Sequence, residues 1–198
     1  MLSRYFHIEV GKIVVHTPLV GGAFGGKTTV QLELIAYLAS KAVDGRMVML
    51  ANTREQDMSS SAVQMGLEAR VKLGAARTGK IKAAEMAFLI DSGAYTDSAP
   101  IMTKAIAANC TGPYNIENLW CDALCVYTNH PYATAFRGFG HTAYTFAIER
   151  ALEKMAYALG MDPFTFREIN VLVPGNTSPT QVPLNTSNIG DLPQCLQK

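Results

Sequence analysis

Two glycine clusters constrain this chain more than any other feature: Gly21-Gly22-Ala23-Phe24-Gly25-Gly26, and Arg137-Gly138-Phe139-Gly140 more than a hundred residues later. Glycine admits positive φ and lets a second backbone or a ligand approach where a Cβ would block it. A fold that uses both clusters turns sharply at each, and helical periodicity follows each turn. After the first, Leu32, Ile35, Ala36, Leu38, Ala39 and Val43 predict an amphipathic helix over residues 27–43, closed by the Asp44-Gly45 turn. After the second, Ile148, Ala151, Leu152, Met155, Ala156 and Leu159 form one apolar stripe that ends at Gly160.

Strand signals fill the rest. Residues 12–20 read as a short apolar strand interrupted by Pro18, which suits a sheet edge, and residues 47–50 read as a buried strand. Residues 52–61 read as loop or the start of a short helix. Alternation over residues 68–75 and 81–90, on either side of Arg77-Thr78-Gly79-Lys80, predicts a β-hairpin. A helix over residues 102–108, a turn at Gly112-Pro113 and a strand over residues 119–128, stopped by His130-Pro131, follow. Asp162-Pro163 supplies an N-cap and a first-turn proline for a helix running to about Asn170. Residues 174–198 are rich in proline and polar residues and are expected to be extended. The pattern predicts the α+β class: a mixed sheet with a β-hairpin and packed helices, in a single domain spanning residues 1–198.

Composition removes several function classes. A net charge of +1, 17% charged residues and no run of Lys or Arg leave no footprint for nucleic acid or an anionic membrane. No stretch of about 18 apolar residues exists, and the N-terminal residues lack a signal-peptide pattern, so a cytoplasmic protein is expected. Cys110, Cys121, Cys125 and Cys195 include no CxxC pair and read as buried free thiols. The sequons at Asn109, Asn176 and Asn185 read as chance matches.

Taken alone, residues 21–28, GGAFGGKT, admit three readings. They satisfy the P-loop pattern, in which backbone amides cradle phosphates, Lys27 meets the terminal oxygens and Thr28 holds a metal, with Phe88-Leu89-Ile90-Asp91 as a candidate second motif. Against a nucleotide-binding protein stand Pro18 in the preceding strand and the place of Asp91 in the second arm of a hairpin. A purely structural turn is the third reading.

The two loops in order, GGAFGGK at residues 21–27 and TAFRGFG at residues 134–140, with DSGAY at residues 91–95 between them, resemble the molybdenum hydroxylase family of xanthine dehydrogenase and aldehyde oxidase. The resemblance runs from about Lys12 through AIERALEKMAYALGMDPFTFREIN to the final LPQCL. It implies a fragment of the molybdopterin-binding domain of a large subunit, with residues 174–198 leading toward a missing second half. The implied activity is an oxidoreductase that hydroxylates aldehydes or N-heteroaromatics with oxygen drawn from water. Gly22, Ala23, Phe24, Gly25, Gly26, Phe136, Arg137 and Gly138 would hold the cofactor through the main chain, with the backbone of Phe24 and Arg137 near the metal. Thr28 and Phe139 would face the substrate, Phe139 by stacking.

Departures from the family pattern narrow these implications. Purine-oxidising members carry a glutamate and an arginine where this chain has Thr28 and Thr96, which weighs against a xanthine-type substrate. His141-Thr142-Ala143 stands where the family continues with a small residue, proline and glutamine; His141 is expected on the surface at a helix start. The family's base glutamate has no match here, so no catalytic residue is expected in this chain. The cysteine patterns of [2Fe–2S] clusters and a flavin domain have no match either. The implied partners are therefore a complementary molybdenum-subunit chain, an iron–sulfur subunit and an FAD subunit, and the pterin is expected with or without a cytosine dinucleotide extension. The chain reads as a split subunit or a truncated frame; an inactive interaction module of the same fold is the alternative.

Overall fold

The β-hairpin predicted from alternation is the organising unit of the computed structural model, which describes residues 1–197. In chain order the elements are α1 (Leu2–Phe6), a 3-10 turn (Val10–Lys12), α2 (Glu33–Ala42), α3 (Arg54–Ser60), β1 (Gly66–Ala75) and β2 (Ile81–Asp91). There follow α4 (Ala99–Asn109), β3 (Asn118–Val126), α5 (His141–Leu159), α6 (Pro163–Asn170), α7 (Thr186–Ile189) and α8 (Leu192–Leu196). β1 and β2 pair antiparallel, with Leu67 opposite Ile90 and Val71 opposite Met86. β3 pairs parallel to the other side of β2, with Ala84 beside Leu119 and Ile90 beside Cys125. A parallel pair needs a crossover, and α4 supplies it. The sheet is therefore mixed, with β2 in the middle.

Helices cover one face only. Met86, Phe88 and Ile90 point from β2 into a core shared with Met102 and Ile106 of α4, Ile148 and Leu152 of α5, and Phe166 of α6. The other face carries Glu68, Arg70, Lys72, Trp120 and Leu124, all exposed. The stripe predicted on α5 is the buried one: Ile148, Leu152 and Ala156 are inaccessible, and Gly160 ends the helix in the left-handed conformation. Asp162 caps α6 by accepting from the Thr165 amide at 2.8 Å. Asn170, fully buried, ties α6 to the hairpin turn: its side-chain oxygen accepts from the Ile81 amide, and its nitrogen donates to the carbonyls of Gly79 and Phe166, each at 2.8 Å. Arg167 reaches back to Glu149 at 2.8 Å, and Glu149 also accepts from the Tyr114 hydroxyl.

Several local expectations are corrected. Residues 13–20 and 47–50 form no strand, and Val14, Val15, Leu19, Met47 and Met49 are exposed. A strand needs a ladder partner, and the three-stranded sheet offers these segments none. The helix expected from residue 27 starts only at Glu33, and Ile35 and Leu38 on its apolar side are half exposed. Residues 174–197 are not simply extended: Thr177 bridges Pro183, and α7 and α8 follow. Among the cysteines only Cys110 is buried; Cys121 is partly so, and Cys125 and Cys195 are exposed. Among the described residues no helix is long and apolar enough to cross a membrane.

Candidate functional site

The two glycine turns meet. A Cβ placed on Gly25 would lie 2.0 Å from the Ala135 carbonyl oxygen, a separation no side chain permits, so the first turn rests directly on the backbone that opens the second. The Arg137 guanidinium adds a second tie, with its central carbon 5.4 Å from the centroid of the Phe24 ring.

Each turn is tightened by its own hydrogen bonds. In the first, the Gly26 amide donates to the Ala23 carbonyl at 2.8 Å, and the Thr28 hydroxyl donates to the Gly25 carbonyl at 2.6 Å. In the second, the Phe139 amide donates to the Phe136 carbonyl at 2.7 Å and the His141 amide to Gly138 at 2.8 Å. Both turns hold a phenylalanine in the left-handed region, Phe24 at φ 51° and Phe139 at φ 48°. A non-glycine residue in that region costs about 1 kcal/mol and persists only where its surroundings impose it. Among the described residues, the amides of Phe24, Gly25, Arg137 and Gly138 donate to no backbone acceptor. Just past the first turn, the buried Thr29 hydroxyl has no partner either.

The expected site residues thus divide by position. Gly22, Ala23, Phe24, Gly25 and Gly26 form one turn, and Phe136, Arg137 and Gly138 the other; the two lie side by side. The Phe24 and Phe136 rings are exposed, whereas Phe139 is partly buried against the core cluster. Thr28 is exposed, its hydroxyl engaged within its own turn. His141 opens α5 with its ring 5.4 Å from that of Tyr144.

A polar latch missed in the sequence sits behind the second turn. The Asp91 carboxylate accepts from the Thr128 hydroxyl, from the Gly93 amide at 2.9 Å and from His130 Nε2 at 2.6 Å. His130 Nδ1 lies 2.6 Å from the Pro131 carbonyl, so both ring nitrogens face acceptors, an arrangement that suits the imidazolium. The Pro131 carbonyl and the aspartate raise the His130 pKa. For Asp91, burial alone pushes the carboxyl up, but the Thr128, Gly93 and His130 contacts outweigh it and the net shift is downward. Thr134 bonds Asp97, and Thr96 bonds Tyr127, so the DSGAY segment is stitched to residues 126–134. The close fit is again glycine-dependent: a Cβ on Gly93 would lie 2.3 Å from the Pro131 carbonyl.

This geometry disposes of the P-loop. Among the described residues no strand precedes residues 21–28 and no helix begins within them; α2 starts five residues after Thr28. Asp91 is committed to Thr128, Gly93 and His130 rather than turned toward Lys27.

Comparison with known proteins gives a consistent result. Residues 1–171 match the family described as molybdopterin cofactor-binding domain. A probable xanthine dehydrogenase subunit from Bacillus subtilis (strain 168) is 33% identical over 181 residues, covering 91% of this chain and 24% of the relative. The nicotinate dehydrogenase large molybdopterin subunit of Eubacterium barkeri is 32% identical over 163 residues, covering 80% of this chain and 37% of the relative. Among solved structures, the aldehyde oxidoreductase from Desulfovibrio gigas superposes with a TM-score of 0.82 at 32% identity, over 89% of this chain and 19% of that one. The chain thus spans between about a fifth and somewhat over a third of the length of these proteins.

Proposed function

The chain belongs to the molybdopterin cofactor-binding domain family, and from that premise we propose that its paired turns form one wall of a cofactor cradle in an oxidoreductase that hydroxylates aldehydes or N-heteroaromatics with oxygen from water. The contact of Gly25 with the Ala135 carbonyl carries the proposal, because it fixes two distant turns as a single surface. When bound, molybdopterin supplies the two-electron redox chemistry of such a reaction.

The residues present fit a group held by backbone dipoles. Among the described residues the amides at Phe24, Gly25, Arg137 and Gly138 have no backbone acceptor, and with Phe24, Arg137 and Gly138 exposed and Gly25 half-buried these donors are open to a ligand. Neutral main-chain donors at fixed positions orient a ligand without reorganising around it. Gly22, Ala23, Phe24, Gly25 and Gly26 serve this role from one side, and Phe136, Arg137 and Gly138 from the other, with the Phe24 and Arg137 main chain nearest the metal. The Arg137 guanidinium, packed on Phe24, braces the wall rather than donating to the ligand. Thr28 and Phe139 flank the substrate side. The base that activates water comes from outside this chain, as do the iron–sulfur clusters and FAD, carried by a complementary molybdenum-subunit segment and by partner subunits. A cytoplasmic location belongs to the same reading.

The test is chemical. The native complex containing the full chain, purified without exogenous metal, is assayed for molybdenum and released pterin, and the full chain is titrated with ATP in a calorimeter. Stoichiometric molybdenum and pterin, with no nucleotide heat and no change in the Lys27→Ala variant, is the expected outcome. A complex free of molybdenum and pterin leaves the interaction-module alternative and refutes the cradle.

A further inference from the structure

A groove of about 800 Å³ runs between β1 and α5, reaching at one end Thr142, which packs beside Gly138 of the second turn. Its floor is the inward row of β1, Leu67, Ala69, Val71 and Leu73, each only partly buried. Its wall is α5, including Phe146, which is 70% exposed, and Met155. No residue of β2 lines the groove, so it opens on the side of β1 away from its one sheet partner. On that side β1 is an edge: among the described residues its only ladder is with β2. An edge strand of ten residues, about 33 Å long, with an apolar inward row, Glu68, Arg70 and Lys72 on its outward row and a register shift only at its Gly74-Ala75 end, is a template for strand addition.

Charge narrows the occupant. Arg150 and Lys154, one helical turn apart on α5, both line the groove and are exposed. Neither joins an ion pair among the described residues, and no carboxylate lines the groove. A second copy paired edge to edge would bring two such cation pairs together with nothing to neutralise them. A small amphipathic acid would meet the cations and the apolar floor, yet leave the peptide groups of the β1 edge unpaired.

We propose that the free edge of β1 accepts a β-strand from a partner polypeptide, whose groove-facing residues are apolar except for a carboxylate that meets Arg150 and Lys154. Backbone pairing supplies the affinity, and the alternate side chains filling the groove supply the selectivity. That the donor is the remainder of a molybdenum subunit rests on the function proposed above; the strand addition rests on the groove alone.

The probes are two acetylated, amidated nonapeptides, Val-Thr-Val-Thr-Glu-Thr-Val-Thr-Val and its counterpart with lysine at the central position. Each is titrated against the full chain, with amide exchange followed by NMR. The expected result is slowed exchange at β1, tighter binding of the glutamate peptide by about ten-fold, and reversal of the preference in the Arg150→Glu/Lys154→Glu variant. Should that variant lose helicity, Arg150→Gln/Lys154→Gln is expected to bind both peptides equally. Equal affinity of the two peptides for the unaltered chain overturns the proposal. So does protection away from β1, absence of binding, or self-association through β1 that the charge variants leave unchanged. The assay contains no cofactor, so its failure leaves the cradle standing, and a molybdenum-free native complex leaves this result standing.

Discussion

Residues 1–64 and residues 65–172 show the same kinds of apolar periodicity, but among the described residues every residue buried as a whole lies in the second stretch, from Met65 to Leu172. The contrast is clearest between α2 and α5. Both are amphipathic in sequence; α5 packs Ile148, Leu152 and Ala156 against the sheet, whereas α2 buries no residue and makes its clearest aromatic contact through Tyr37 to Phe6, 4.5 Å away. Periodicity states that a face needs covering and is silent on what covers it. The N-terminal stretch is tied to the core chiefly where Gly25 rests on Ala135, and where Val63 pairs with Tyr132 and Thr134 just behind.

Core truncation tests that contrast most severely. Leu152→Ala is expected to cost about 3 kcal/mol in urea unfolding, while Leu38→Ala in α2 costs less than about 0.5 kcal/mol. Equal losses would mean that α2 is packed in solution. Next in size is Asn170→Ala, expected to cost about 2 kcal/mol because it strands the Ile81 amide and the Gly79 carbonyl in a buried place. Gly25→Ala should cost about 1 kcal/mol or more, because its Cβ meets the Ala135 carbonyl at a positive φ. It should also lower the molybdenum retained by the native complex severalfold, because the turns can no longer touch; a variant with full metal content would show that the joint is dispensable.

The smallest effect is the pH dependence of the latch. The His130 pKa is raised, so its contribution to stability is fully present below its ordinary value of 6.5 and is lost as pH rises through the higher folded value. The Asp91 pKa is lowered, so its contribution is present above 3.8 and is lost as pH falls through the lower folded value. With side chains 35% and 28% exposed, solvent screens the pair and the effect is modest. Proteolytic nicking within residues 91–97 and 127–134 should increase at alkaline pH, and His130→Gln should flatten that rise; an unchanged profile would remove the latch.

Much of the architecture was legible because it is local. Alternation fixed the hairpin, the stripe ending at Gly160 fixed α5, and Asp162-Pro163 fixed the start of α6. The glycine turns were legible as turns, but their contact was not, since nothing in either cluster encodes the hundred-residue return that joins them. The parallel pairing of β3 was hidden for the same reason. His130-Pro131 looked like a strand terminator, and Asp91 like a candidate metal ligand; their pairing spans 39 residues and becomes visible only when the ends of β2 and β3 lie together. Residues 12–20 and 47–50 misled because apolar composition was read as strand where, among the described residues, no ladder partner exists.

The most direct test of the cradle is amide hydrogen exchange of the native complex, followed by mass spectrometry before and after release of the cofactor. Peptides covering residues 21–28 and 134–140 should lose protection together, while those from β2 stay unchanged. If only one turn responds, or neither does, the two turns do not act as one surface for the cofactor.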